Sequence, residues 1–285
     1  MKFDLQQLDK FGDGAAEDDR TLLRYFVLRQ DVKEIISDNK FLVLGRKGAG
    51  KTAIVRYFSE GENRRQSSSL SLRSYPWSIH ESRVDRGSDP VEAYVASWRY
   101  LIAIEFASWA LELSRNKHLD AQKPLREFLE ANYGGTRPNL ASIIRPKRLT
   151  LKKMSLRPSI FGNTLGGVDL ERKDDNRDLG LELDALTNAI LEKAIEISRS
   201  CGAQRFFIHF DELDSGMKKL DESRKSMLIG LVLAVRGLRQ TFQEKGAKVS
   251  PVIYLRSDLW DDLAFSDKNK ITQGGALKME WGADS

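Results

Sequence analysis

Residues 41–52 read Phe-Leu-Val-Leu-Gly-Arg-Lys-Gly-Ala-Gly-Lys-Thr, and this stretch decides the fold. Phe41–Leu44 is a short apolar run bounded by Lys40 and Gly45, the pattern of a strand buried on both faces. Gly45, Arg46, Lys47, Gly48, Ala49, Gly50, Lys51 and Thr52 then match G-x-x-x-x-G-K-[ST] at every fixed position. Thr52 to Phe58 reads as a helix, with Gly61 as its C-terminal cap. Glycines let successive backbone N–H groups turn around a phosphate without a Cβ in the way, and the helix start adds its positive end. Lys51 is expected to reach the β- and γ-phosphates of a nucleotide, and the Thr52 hydroxyl to ligate Mg²⁺. The plain alternative is a strand-to-helix turn with no ligand.

Outward from this loop, Arg205 to Glu212 reads as a second strand. Four of the five residues before Asp211 are apolar, and two adjacent carboxylates follow. Asp211 is expected to serve the metal, Glu212 to polarise an attacking water, and Asp214 to orient the loop. His209, inside the apolar run, is expected to be a hydrogen-bonded core residue. Pro251 to Asp258 reads as a third strand. Set between the other two, it brings Arg256 to the γ-phosphate as a charge-assisted sensor. The bland alternative pairs Arg256 with Asp258 or Asp261 at the surface.

The remaining chain alternates helix and strand, which implies an α/β fold with a mainly parallel sheet. A helix is expected over Thr21 to Ile36, and a strand region broken by Pro76 from Ser67 to His80. Asp89-Pro90 opens a long helix to about Arg115, whose Trp98, Phe106 and Trp109 mark a buried face. A shorter helix is expected over Ala121–Ala131, an amphipathic one over Leu181–Ser198, and a mostly helical stretch over Met217–Gln243. Leu277, Met279 and Trp281 alternate as a last strand. Arg145 to Arg172, with Gly166-Gly167, reads as a β-hairpin insertion.

Composition narrows the class. The chain has 285 residues, 41 % apolar and 31 % charged, enough for a sizeable core and against wholesale disorder. One cysteine, Cys201, excludes an internal disulfide framework, and three scattered histidines, His80, His118 and His209, do not make a zinc site. The start, MKFDLQQLDKFGDG, lacks a signal-peptide pattern, and no apolar run approaches the roughly 20 residues that span a bilayer. A cytoplasmic protein with no membrane partner is expected. The net charge of +5 permits a polyanionic partner.

Together GRKGAGKT, FIHFDELD and YLRSD resemble the ATPases in which an extra strand separates the two nucleotide motifs: AAA+ proteins, origin-recognition ATPases, and the KAP and STAND groups. More closely, the chain is similar to a related P-loop ATPase group found near defence and mobile-element genes. The resemblance runs from about Tyr25 to Trp281. It implies a three-layer αβα P-loop NTPase of the additional-strand type, with a helical and hairpin insertion between the Walker A and Walker B motifs. Residues 1–34 are then an N-terminal lead and helix. Residues 35–285 form the ATPase domain, with 90–180 as the insertion. Such ATPases usually continue into a helical lid, which is expected to be absent here.

The implied activity is Mg-ATP binding and hydrolysis by a regulatory or motor-like component of a nucleic-acid-linked assembly, in antiviral defence by resemblance. Glu212, Lys51 and Arg256 are its expected catalytic residues, and Thr52 and Asp211 hold the Mg²⁺. With no guanine-reading N-K-x-D, ATP is preferred to GTP. A non-hydrolysing switch or scaffold that orders an interface is the alternative, and a small-molecule kinase a third reading that Asp211-Glu212 counts against. A homo-oligomer or hetero-assembly is expected. Arg145, Lys147, Arg148, Lys152, Lys153 and Arg157 place six cations in 13 residues without an acid. They read as a DNA, RNA or protein-docking ridge, or as an ordinary solvated face.

Overall fold

The computed structural model describes residues 16, 19, 21–61, 64–73, 89–144, 176–215 and 220–279, together with four two-residue strands between 149 and 170. Five strands form one parallel sheet: β1 (Leu42–Gly45), β2 (Ser67–Ser71), β7 (Phe206–Asp211), β8 (Val249–Arg256) and β9 (Ala276–Met279). Their order is β2-β7-β8-β1-β9. β8 therefore lies between β1 and β7. All four residues of β1 and all six of β7 are buried, as is β8 up to its last residue, Arg256. The two edge strands alternate in exposure. That contrast explains the sequence: the inner strands are largely apolar runs, whereas β2 is Ser-Ser-Ser-Leu-Ser.

The chain divides into two compact units. One comprises Met1–Arg73, Phe207–Met217 and Ser250–Ser285, and holds the sheet and the glycine loop. Its core packs the glycine-loop helix α3 (Lys51–Glu60) through Ile54, Val55 and Phe58 against Val43, Phe207, Val252 and Tyr254. Val32 and Ile35 of helix α2 (Gln30–Ile36) join the same cluster. The single helix expected over Thr21 to Ile36 is two: α1 (Leu22–Tyr25) ends where Phe26 turns extended, with φ −64° and ψ 120°. Phe26 stacks on Tyr57 at 4.7 Å, and this docking is available only with the helix broken. Val27 and Leu28 in the break are exposed.

The other unit comprises Ser74–Phe206 and Lys218–Val249, a wider span than 90–180. Its frame is three long helices, α4 (Pro90–Leu113), α7 (Asn176–Ser200) and α8 (Glu222–Glu244). Asp89 caps α4 by accepting from the Val91 N–H at 2.8 Å, with Pro90 in the first turn. Asp221 caps α8 through the Arg224 N–H. Helix α8 thus starts later than the expected Met217, because Asp221 satisfies the first-turn donors. Trp98 and Phe106 are fully buried on α4; Trp98 donates to the Met227 carbonyl and Trp109 stacks on Phe206 at 4.3 Å. Helices α5 (Gln122–Tyr133) and α6 (Leu140–Ile144) follow α4. In the segment read as a hairpin, β3 (Leu149–Thr150) pairs antiparallel with β6 (Asp169–Leu170), and β4 (Ser159–Ile160) with β5 (Asn163–Thr164). The six cations and Gly166-Gly167 lie outside the described residues, as do Pro76, His80 and Trp281. Among the described residues no helix is long and apolar enough to cross a membrane.

Gly230 on α8 lets that helix approach α4 closely, since an added Cβ would stand 2.6 Å from the Tyr94 Cβ and 3.2 Å from the Val95 nitrogen. Neither contact is a flexible side-chain end. Gly230→Ala is expected to destabilise the protein by about 2 kcal/mol, the range of core overpacking, and urea denaturation measures it.

Candidate functional site

The glycine loop leaves the carboxyl end of β1 and enters α3. Gly48 and Gly50 take φ of 80° and 90°, the left-handed region in which a side chain is strained. Gly45 is needed for space: a Cβ there would meet the Ala49 Cβ at 3.0 Å and the Met279 Cβ at 3.2 Å. Arg46, Lys47 and Gly48 are exposed, while Ala49 is buried in the core cluster and anchors the loop. No acidic residue occupies the first turn of α3, whose positive end faces the loop uncompensated. Lys51 folds back over it, donating from Nζ to the Gly45 and Arg46 carbonyls at 3.0 Å each.

The sheet order brings β7 and β8 to the same edge. Gly45 is the register partner of Arg256 on β8, and Asp211 that of Ser71 on β2. Asp211 is 5 % exposed. Burial raises its carboxyl pKa, opposed by hydrogen bonds from the Glu212 backbone N–H and the Thr52 hydroxyl and by the charge of Lys51. Thr52 and Asp211 thus join the first turn of α3 to the end of β7. Burial also lowers the Lys51 pKa, against the opposing pull of Asp214 and Asp211.

Glu212 takes φ of 58°, the left-handed region, at a non-glycine residue. The Ser71 hydroxyl donates to its Oε2, and Arg73 Nε lies 3.4 Å from Oε1. These partners hold the carboxylate at the end of β2. Arg256 pairs with Asp258 through Nε to Oδ1 at 3.0 Å and Nη2 to Oδ2 at 2.5 Å, and Nη1 stands 3.5 Å from Asp214. The hydrogen bond that Arg256 donates to Asp258 raises the Arg256 pKa, and the same pair lowers that of Asp258.

The structure therefore brings together Gly45, Lys51, Thr52, Asp211, Glu212, Asp214 and Arg256. It shows Arg256 paired with Asp258 and not with Asp261. Sequence reasoning missed Ser71 and Arg73, which belong to no motif. The available signal was only that a hydroxyl and a cation end the strand beside the one that ends in Asp211-Glu212.

The donor set suits a magnesium nucleotide. Thr52 and Asp211 offer hard oxygens side by side, loop and helix N–H groups suit phosphate oxygens, and Lys51 supplies a cation. Among the described residues no group of three or more His, Cys, Asp or Glu side chains is arranged to hold a metal unaided. Mg²⁺, which often keeps only one or two protein ligands, has no need of such a cage.

No family model matches the chain, and no solved structure does. Among curated proteins it is similar to the putative transposon gamma-delta 80.3 kDa protein of Escherichia coli (strain K12). The two are 22 % identical over 286 aligned residues, covering 95 % of this chain and 37 % of that protein. The chain thus spans a little over a third of that relative's length.

Beneath the site, His209 Nδ1 shares a 2.9 Å hydrogen bond with the Tyr254 hydroxyl, both side chains being buried. Burial pushes the imidazole pKa from 6.5 down to about 3. Between those values the unfolded chain holds a proton that the folded chain does not. Stability from the neutral ring is complete above 6.5 and falls as pH drops toward 3. Going from pH 7 to 5, the native protein should lose more stability than His209→Gln, approaching about 1.4 kcal/mol per pH unit below 6.5. Urea midpoints at the two pH values measure the difference.

Proposed function

We propose that the chain is a P-loop NTPase of the three-layer αβα, additional-strand type that binds and hydrolyses Mg-ATP. The observation that carries this reading is the Thr52 hydroxyl on the buried Asp211 carboxylate, with Lys51 close enough to lower that carboxyl's pKa. The sheet order supports it, because β8 lies between the strand leading into the glycine loop and the strand ending in Asp211-Glu212.

In this site the loop N–H groups and the start of α3 bind phosphate oxygens, and Lys51 exchanges two carbonyl acceptors for them. Thr52 and Asp211 hold the metal. Mg-ATP, when bound, supplies the transferable phosphoryl group and the cation that neutralises its charge. Glu212 orients the attacking water and accepts its proton, which requires release from Ser71 and Arg73. Arg256 stabilises charge on the outer phosphate.

A regulatory or motor-like role in a nucleic-acid-linked assembly, antiviral defence included, extends the proposal, as does a homo-oligomer or hetero-assembly. The likeness to a transposon protein is in keeping with a mobile-element setting. The cationic run from Arg145 to Arg157 is the segment proposed to meet DNA or RNA. The held state of Glu212 favours a second reading, an ATP-dependent switch with little turnover of its own.

Hydrolysis of Mg-ATP by the purified chain tests both. Lys51→Ala is expected to abolish binding. Glu212→Gln should keep binding and lower turnover by roughly a hundredfold or more. Turnover that Glu212→Gln leaves untouched overturns the catalytic assignment. ATP binding with negligible turnover in the native chain selects the switch.

A further inference from the structure

Arg256 ends the central strand with its guanidinium engaged two-pronged by Asp258, at 3.0 and 2.5 Å. A planar guanidinium makes the same fork with a carboxylate as with two phosphate oxygens. The Asp258 side chain is 60 % exposed and that of Arg256 28 %. Exposed pairs of this kind contribute little to stability, so this one exchanges readily.

Asp258 also loses little when it lets go. Its carboxylate lies at the surface, and its own backbone N–H and that of Leu259 assist Arg256 in lowering its pKa. Arg256 keeps a second carboxylate, Asp214, 3.5 Å from its Nη1. The guanidinium lies within the electrostatic reach of Lys51, whose pKa it helps to lower, while Asp214, Asp211 and Asp258 oppose that effect. Two cations face one another across a few carboxylates, and of these Asp258 is the exposed one, two residues along the chain.

We propose that Asp258 is a positioning residue that stands in for the terminal phosphate of a nucleoside triphosphate, holding Arg256 until that phosphate displaces it. The inference rests on the nucleotide reading of the site. In this arrangement Asp258 sets how strongly the protein prefers triphosphate over diphosphate. A diphosphate engages Lys51 and leaves the Arg256–Asp258 pair in place. A triphosphate takes Arg256, against the cost of separating the pair.

The test measures dissociation constants of the full chain for ATP and ADP with Mg²⁺, in native protein, Asp258→Asn, Asp258→Glu and Arg256→Gln. Asp258→Asn should tighten ATP by about twofold to fivefold, the scale of an exposed ion pair, and change ADP less than about 1.5-fold. Asp258→Glu, which keeps the carboxylate, should restore native discrimination. In an Arg256→Gln background Asp258→Asn should have no effect on the ratio. Equal tightening for ATP and ADP reports a general charge effect and overturns the proposal, as does an unchanged ATP constant or an effect that survives Arg256→Gln. If ATP binds and Lys51→Ala abolishes it while Asp258→Asn is silent, this inference alone falls. If the native chain binds neither nucleotide, the nucleotide reading falls and this inference with it.

Discussion

The structure depends on one short link between two elements far apart in sequence. Thr52, in the first turn of α3, comes close enough to the Asp211 carboxylate at the end of β7 to lower its pKa. Desolvation works against a charge at Asp211, and Lys51 with two hydrogen bonds works for it. The link requires β1 and β7 to sit one strand apart, and β8 fills that gap. It requires α3 to lie flat on the sheet, which Ile54, Val55 and Phe58 achieve by packing on Val43, Phe207 and Tyr254. The apolar core thus fixes a polar geometry at the sheet edge.

Around that link Lys51, Glu212 and Arg256 are each partnered within the chain. Lys51 donates to loop carbonyls, Glu212 accepts from Ser71 beside Arg73, and Arg256 sits between Asp258 and Asp214. A desolvated charge without a partner costs several kcal/mol, so such a site must satisfy itself at rest. The substitutes are backbone carbonyls, a hydroxyl and half-exposed ion pairs, each cheap to exchange. The same groups that stabilise the resting edge are those a phosphate chain and a metal would claim.

The inner strands were legible because burial on both faces leaves largely apolar runs, as in Phe41–Leu44 and in Phe206–Phe210, which only His209 interrupts. Helix α4 was legible from Asp89-Pro90, a cap and a preset φ in succession. The break at Phe26 was not, since Val27 and Leu28 continue the apolar spacing although both are exposed. Only the ring of Tyr57, thirty residues on, explains it. Strand β2 begins at Ser67, where a strand was expected, although an edge strand of serines carries little hydrophobic signal. The loop residues and Asp211 came from local pattern plus chemistry. Ser71 and Arg73 came only from register, which pairs Ser71 with Asp211 across 140 residues of sequence. Arg256 had two readings in the sequence, and the fold shows it paired with Asp258 beside Asp214.

The central claim is that this sheet edge binds a magnesium nucleotide through Lys51, Thr52 and Asp211. Calorimetric titration of ATP into the full chain, with Mg²⁺ and with the metal chelated, tests it most directly. The account predicts one site per chain, markedly tighter with Mg²⁺ than without, with that metal dependence lost in Asp211→Asn. Binding that ignores Mg²⁺, or that Asp211→Asn leaves unchanged, would contradict it.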